Sequence, residues 1–238
     1  MCAVQVKEIE MTTHYRFPEQ PKHAFSGKIS SRSGNRRGIY RNAVKRPLDI
    51  LLVLLGAPFV VPLVLVLAFF IAHDGGRPFY HQDRVGKGGL TYRMWKLRSM
   101  EVGADEKLAA YLNGNPSARA EWDHSQKLRC DPRITRLGHI LRRSSLDELP
   151  QLWNVLRGDM SLVGPRPMMP SQSVLYPGEA YFALRPGITG LWQVSARNES
   201  GFAARASYDS EYDRTLSFVT DVRILAATIR VVTRGTGC

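Results

Sequence analysis

The chain has 238 residues, 44% of them hydrophobic, enough for one domain with a real core or a small domain with appendages. Its 33 Lys and Arg against 21 Asp and Glu give a net charge of +12, which points to polyanionic partners: nucleic acid, anionic lipid headgroups or phosphorylated small substrates. Cys2, Cys130 and Cys238 are odd in number and far apart, so they give no disulfide framework or zinc pattern and fit a reducing compartment.

Residues 1–44 read as a basic tail. Lys7, Arg16, Lys22, Lys28, Arg32, Arg36, Arg37 and Arg41 are scattered through it, few apolar residues recur at a helical period, and residues 26–38 are rich in Ser, Gly and Arg. Such a segment stays disordered or lies on an anionic membrane surface. No apolar run follows close behind the first Met, so it is not a signal peptide.

Residues 48–72 are nearly continuous hydrocarbon, and from Ile50 to Ala72 no side chain is charged or strongly polar. A straight helix of that length crosses a bilayer. Pro58 and Pro62, in the middle of the run, each remove a backbone donor, so the helix is expected to kink or break there. Both flanks are basic, with Lys45 and Arg46 before the run and Arg77, Arg84, Lys87, Arg93, Lys96 and Arg98 after it. Lys and Arg favour the cytoplasmic side, so both ends ask for the same side. A broken helix that enters and leaves through one leaflet satisfies both. A plain span satisfies one and stands as the alternative, with a buried soluble helix third.

The remainder reads as a mixed, helix-dominated α+β domain over residues 77–238, after a membrane element at 45–76. Tyr80–Arg84, Thr91–Lys96 and Ser161–Val163 suit short strands. Helices are expected over Asp105–Leu112, over Ile134–Arg143 with Ile134, Leu137, Ile140 and Leu141 on one face, and over Leu146–Arg157. In Val222–Val232 the residues Val222, Leu225, Ile229 and Val232 share a face, as in an interfacial membrane helix or an ordinary packed one.

Three stretches can carry chemistry. Arg142-Arg143-Ser144-Ser145-Leu146-Asp147-Glu148-Leu149-Pro150-Gln151 places Ser145 and Glu148 at capping-box spacing and Asp147 in a first helical turn. A fixed, ionised carboxylate there can attack phosphorus or hold Mg²⁺, although acids are also routine at helix starts. Pro150 delays or distorts that start. In Gly158–Pro167, two prolines bracket Arg166 and present its guanidinium on a rigid loop suited to phosphate. In Arg185–Val194, Pro186-Gly187 marks a turn, and Gly190 permits close approach of backbone or ligand. Lys96 and Arg98 add donors beside Trp95.

Taken together these stretches resemble the bacterial sugar transferase family of monotopic polyprenyl-phosphate phosphoglycosyl transferases. The matching residues are Lys45-Arg46 with Asp49, Lys96 to Met100, Ser145 to Gln151, Gly158 to Pro167, and Pro186 to Gly190 with Gln193. The resemblance runs from about Lys45 to Val232. It implies a re-entrant membrane helix broken near Pro58, with Asp147 as nucleophile on a nucleotide sugar. Glu148 is implied to assist with the acceptor's proton or with Mg²⁺, which the Asp147–Glu148 pair would hold. UMP is released, and the phosphosugar passes through a phospho-aspartyl intermediate to undecaprenyl phosphate. Arg142 and Arg166 match arginines that hold phosphates, with Lys96, Arg98, Arg185 and Gln193 as further substrate-binding residues. The chain resembles the short, exopolysaccharide-initiating type, similar to galactosyl-1-phosphate transferases, with UDP-galactose or UDP-glucose as donor. That type works on the bacterial inner membrane with its catalytic domain facing the cytoplasm; homo-oligomerisation is left open. Two departures stand out: the kink reads Ala57-Pro58 where the family often has Ser-Pro, and the four N-terminal spans of longer members do not appear.

Three rivals remain at this point: a nucleic-acid-binding protein, disfavoured by the 23-residue apolar run, a non-catalytic scaffold of polysaccharide assembly, and a glycosyl transferase that releases UDP.

Overall fold

The apolar run forms one uninterrupted helix, α1 (Lys45–Ala72), in the computed structural model, which describes residues 38–125, 128, 130–195 and 202–233. The tail expected over residues 1–44 lies outside the described residues as far as residue 37, as do Cys2 and Cys238. Its boundary moves back, because the chain is already helical at residue 39 and a π-helical turn, Tyr40–Val44, leads into α1. Domain contacts hold this turn: Tyr40 donates to Asp221 at 2.7 Å, and the Lys45 ammonium meets the same carboxylate at 2.6 Å.

Helix α1 runs through Pro58 and Pro62 without a break in its helical assignment. A proline removes only its own donor, and the turns on either side keep theirs. At 1.5 Å per residue the helix is about 42 Å long. Asp49, Val53, Ala68 and Ile71 are buried along one stripe, while Leu55, Phe59, Phe69 and Phe70 are exposed. An apolar helix with so narrow a buried stripe has a lipid-like exterior over most of its girth.

Strands β1 (Phe79–Val85) and β2 (Thr91–Leu97) form an antiparallel hairpin in which Tyr80 faces Lys96 and Arg84 faces Tyr92. Helices α2 (Ala104–Gly114) and α3 (Pro116–Ser125) follow, then α4 (Arg136–Ser144), whose N-cap Thr135 accepts from Gly138 N–H at 2.8 Å. Leu141 on α4 is fully buried and Leu137 packs towards α1, but Ile140 turns outwards, so the expected four-residue apolar face is narrower than the sequence suggested.

The helix expected over Leu146–Arg157 divides. Leu146–Glu148 is a 3₁₀ turn, and α5 spans Gln151–Arg157 with Pro150 at its N-cap. Ser145 makes no side-chain cap; it sits at φ 57°, the left-handed conformation that ends α4 and turns the chain towards Asp147. Strand β3 (Ser161–Val163) pairs in parallel with β4 (Gly187–Thr189). Gly164, Gly187 and Gly190 let these backbones meet: a Cβ on Gly190 would strike the Gly164 carbonyl, so the close approach expected at Gly190 is to backbone. Short helices α6 (Ala180–Ala183) and α7 (Leu191–Ser195) precede α8 (Arg205–Thr215) and α9 (Phe218–Thr233). On α9, Ile224 is buried, whereas Val222, Ile229 and Val232 are exposed together with Phe218 and Val219.

Hydrogen bonds fasten α1 to the domain near both of its ends. Asp49 accepts from Ser161 Oγ at 2.6 Å, and Arg46 donates to the Val155 and Leu156 carbonyls that end α5, at 2.5 and 3.0 Å. At the other end, Arg98 donates to the Ile71 carbonyl at 3.0 Å, and Ala68 and Ile71 share a core with Leu97 and Leu141.

Candidate active site

The turn after α4 delivers Asp147 and Glu148 to the hairpin. The Lys96 ammonium lies 2.8 Å from Glu148 Oε1 and 3.7 Å from Asp147 Oδ2. Asp147 is only 8% exposed. Burial pushes its carboxyl above the usual carboxylate range; Lys96 pulls it back, Glu148 pushes it further, and Arg142 again lowers it. The result is a desolvated carboxylate held among two cations and a second acid.

Asn154 fixes the alignment of α5 with β2. Fully buried, it accepts from Trp95 N–H at 3.0 Å and donates to the Arg93 carbonyl at 2.7 Å and to Asp159 at 3.0 Å. Its amide therefore pairs with β2 as another strand would, on either side of the backbone that carries the approach to Lys96. Arg142 Nε donates to Ser99 Oγ at 2.9 Å, which steers that guanidinium towards the same turn.

The predicted site residues do not all meet. Lys96, Arg142, Asp147 and Glu148 come together. Arg98 is engaged elsewhere: it grips Asp74 and the carbonyls of Ile71, Arg77 and Met100, clamping the end of α1. Arg185 donates to the Gly158 carbonyl at 3.0 Å and lines a cleft with Arg41, Arg46 and Lys87 near the start of α1. Gln193 is buried against the β4 turn, donating to the Ile188 carbonyl at 3.3 Å. Arg166 lies over Trp192, 5.9 Å from the ring centre, in company the sequence did not signal: Arg205 stacks at 4.3 Å on the same ring. Pro58 is within α1, one residue from the groove residue Ala57.

That groove is apolar, about 390 Å³, and lies between α1 and the active turn. Val53, Ala57 and Val61 line one side; Leu149, Pro150 and Trp153 line the other. It begins immediately after Glu148 in the chain.

Asp147 and Glu148 are the acids of this turn that could hold Mg²⁺. Among the described residues no cluster of three or more His, Cys, Asp or Glu could hold a metal. Two adjacent carboxylates nevertheless suit Mg²⁺, which commonly takes one or two carboxylates and completes its shell with substrate phosphates and water.

A long, apolar, largely exposed helix packed on a small domain points to a membrane-associated protein. The chain belongs to the bacterial sugar transferase family, whose sequence pattern matches residues 40–235. It is 46% identical over 196 residues to a UDP-galactose-lipid carrier transferase of Erwinia amylovora, and 42% identical over 196 residues to an undecaprenyl-phosphate galactose phosphotransferase of Salmonella typhimurium. Each match covers 82% of this chain but 41% of the relative, so the chain spans about two fifths of their length. The exopolysaccharide production protein ExoY of Sinorhizobium fredii is 42% identical over 191 residues, which cover 79% of this chain and 84% of that protein.

Proposed function

We propose that this chain transfers a hexose-1-phosphate, galactose or glucose, from a UDP-sugar to undecaprenyl phosphate, releases UMP, and so starts an exopolysaccharide repeat unit. The observation that carries the reading is the buried Asp147–Glu148 pair bridged by Lys96, in a family with relatives named for undecaprenyl-phosphate galactose transfer.

In the first step an Asp147 oxygen attacks the phosphorus that bears the sugar. The bond from that phosphorus to the bridging oxygen breaks, and UMP departs with the electron pair. In the second step a phosphate oxygen of undecaprenyl phosphate attacks the same phosphorus, the bond to Asp147 breaks, and the carboxylate is restored. Burial strips water from the nucleophile, and Lys96 favours its anionic form against that burial. Glu148 is placed to take a proton from the acceptor phosphate. Mg²⁺ held by Asp147 and Glu148 would supply positive charge to the crowded phosphates.

Membrane geometry supports the acceptor. The same domain grips α1 near both ends, through Ser161 on Asp49 and through Arg98 on the Ile71 carbonyl. A transverse span would drag that domain through the bilayer, where its polar backbone and charges are costly. Both ends of α1 therefore lie at one face of the bilayer, the cytoplasmic one that its basic flanks also favour. The exposed apolar face of α9 rests on the same surface. The groove beside Leu149 and Pro150 takes the first isoprene units and leaves the lipid phosphate at Asp147.

The deciding experiment follows UMP release from a panel of UDP-sugars in membranes with Mg²⁺ and undecaprenyl phosphate, for native chain and Asp147→Asn. UMP from one sugar, lost in the variant, supports the reading and names the donor. UDP in its place means a glycosyl transferase, and no product from any sugar favours a scaffold.

A further inference from the structure

Beside one core of the domain stand three arginines that make no ion pair among the described residues. Val85, Met168, Tyr176, Tyr181 and Ala206 form that core, with Phe182 and Phe202 against it. Arg84 precedes Val85, Arg166 stands two residues before Met168, and Arg205 precedes Ala206. The backbone ties them: Val85 N–H donates to the Met168 carbonyl at 3.0 Å, and Tyr181 Oη donates to the Val85 carbonyl at 2.5 Å while accepting from Met168 N–H at 3.3 Å. Three segments remote in sequence thus each set a guanidinium around one apolar plug.

Among the described residues, no carboxylate lies within ion-pairing distance of Arg84, Arg166 or Arg205. Arg84 is met by the neutral Gln82 at 2.6 Å, and the Nε atoms of Arg84 and Arg205 are buried without a hydrogen-bond acceptor. Asp209, one turn along α8, is occupied by Tyr176 Oη at 2.7 Å. Burial, with Arg166 and Arg84 nearby, brings the Arg205 guanidinium down to about 10 against the opposing pull of Asp209. Two buried guanidiniums with orphaned Nε donors, and a third that shares a tryptophan face with one of them, suit a bound anion.

We infer that Arg84, Arg166 and Arg205 form a phosphate cradle for the donor nucleotide, with Arg84 and Arg205 as substrate-binding residues additional to Arg166. The inference rests on the proposed transferase reaction for the identity of the nucleotide. Arg84 and Lys96 occupy the same face of the hairpin, four positions apart, because their partners Tyr92 and Tyr80 lie directly opposite. At 3.3–3.4 Å per residue their backbones are about 13 Å apart, a gap that two long side chains and a diphosphate can bridge. The cradle therefore continues the Lys96 site towards the leaving nucleoside monophosphate. Anionic lipid offers the same phosphate chemistry, but no residue of α1 belongs to this core, whereas α1 does enter two others. The soluble source is the better fit.

The test titrates the purified full chain with UMP, uridine and a short-chain phosphatidylglycerol below its micelle concentration. Arg84→Met and Arg205→Met are expected to weaken UMP binding on the order of tenfold or more, since a charge-assisted bond contributes about 1.5–3 kcal/mol. Uridine binding should be unchanged, and Arg205→Lys should recover part of the loss. Ligand-free variants should melt at the native temperature or above, because like-charge repulsion is relieved. A lower melting temperature with unchanged UMP affinity makes these arginines structural and overturns the cradle. Loss of the phosphatidylglycerol response alone assigns it to lipid and overturns the nucleotide inference. Asp147→Asn should still bind UMP. If no UDP-sugar yields UMP, the reaction fails while arginine-dependent UMP binding survives; normal turnover with unaltered affinity sinks the cradle alone.

Discussion

Lys96 stands 2.8 Å from Glu148, its ammonium on the carboxylate that follows the nucleophile candidate in the chain. Because the same nitrogen is 3.7 Å from Asp147, one cation serves both acids. Replacing it leaves two neighbouring carboxylates to repel each other and the incoming phosphates. Lys96→Met should therefore lower UMP release by about 10²-fold or more, the scale seen when one positioned electrostatic donor is lost. Lys96→Arg should keep part of the rate. Equal rates for native and Lys96→Met would remove Lys96 from the active site.

Asn154 offers a stability test of the same assembly. Truncation to Ala orphans the buried Trp95 N–H and Arg93 carbonyl together. The expected cost is roughly 2–4 kcal/mol, and a chain of this size loses about 2–4 °C in Tm per kcal/mol. Asn154→Asp keeps an acceptor for Trp95 but loses the donor and faces Asp159, so it should melt no higher than the Ala variant at pH 8. A native Tm for Asn154→Ala would mean that α5 is held to β2 by packing alone.

The sequence exposes local physics better than it exposes convergence. The two strands of the hairpin are legible in the sequence, though their pairing is not, and the structure widens each by only a residue or two. Helix α1 is legible from its hydrocarbon content; of the kink or break that its prolines imply, the continuous helix excludes only the break. The capping box at Ser145 was misread because Ser145 adopts a left-handed backbone that no spacing rule reveals. For the site, Asp147, Glu148, Lys96 and Arg142 were all singled out, but their meeting depends on Asn154, an unremarkable residue in sequence. Arg98 reads as a phosphate ligand in the sequence, but in the structure it clamps Asp74 and three backbone carbonyls, and carbonyl partners carry no sequence signature. Strand alternation could have put Arg84 on the Lys96 face; nothing in the sequence pointed to Arg205.

Gly138 decides how closely α4 approaches the strand exit. A Cβ there would collide with the Ser99 carbonyl, which already accepts from Thr135 N–H at 3.1 Å. In an exposed helix, Gly→Ala stabilises by about 1 kcal/mol. Here overpacking of about 1–3 kcal/mol opposes that gain, with backbone as the obstacle. Gly138→Ala should lower Tm by several degrees and reduce UMP release, since α4 also carries Arg142 and its bond to Ser99. A raised Tm would show that α4 can shift without penalty.

Asp209 gives a pH dependence with a definite sign. Burial raises its carboxyl from the ordinary 3.8 to about 6, against the opposing pulls of Tyr176 and Arg205. The folded chain thus binds this proton more tightly than the unfolded chain does. The stability associated with that proton is fully present below pH 3.8 and is lost as pH rises through about 6. The difference is on the order of 3 kcal/mol. Asp209→Asn mimics the neutral form and can still accept from Tyr176. Its Tm should exceed the native value at pH 8, and the gap should close as pH falls through 6 towards 4. Parallel Tm curves for the two proteins across that window would show that Asp209 is ionised with no penalty, with Arg205 as the compensating charge, and the arginine ring would then be one cation less exposed than its geometry implies.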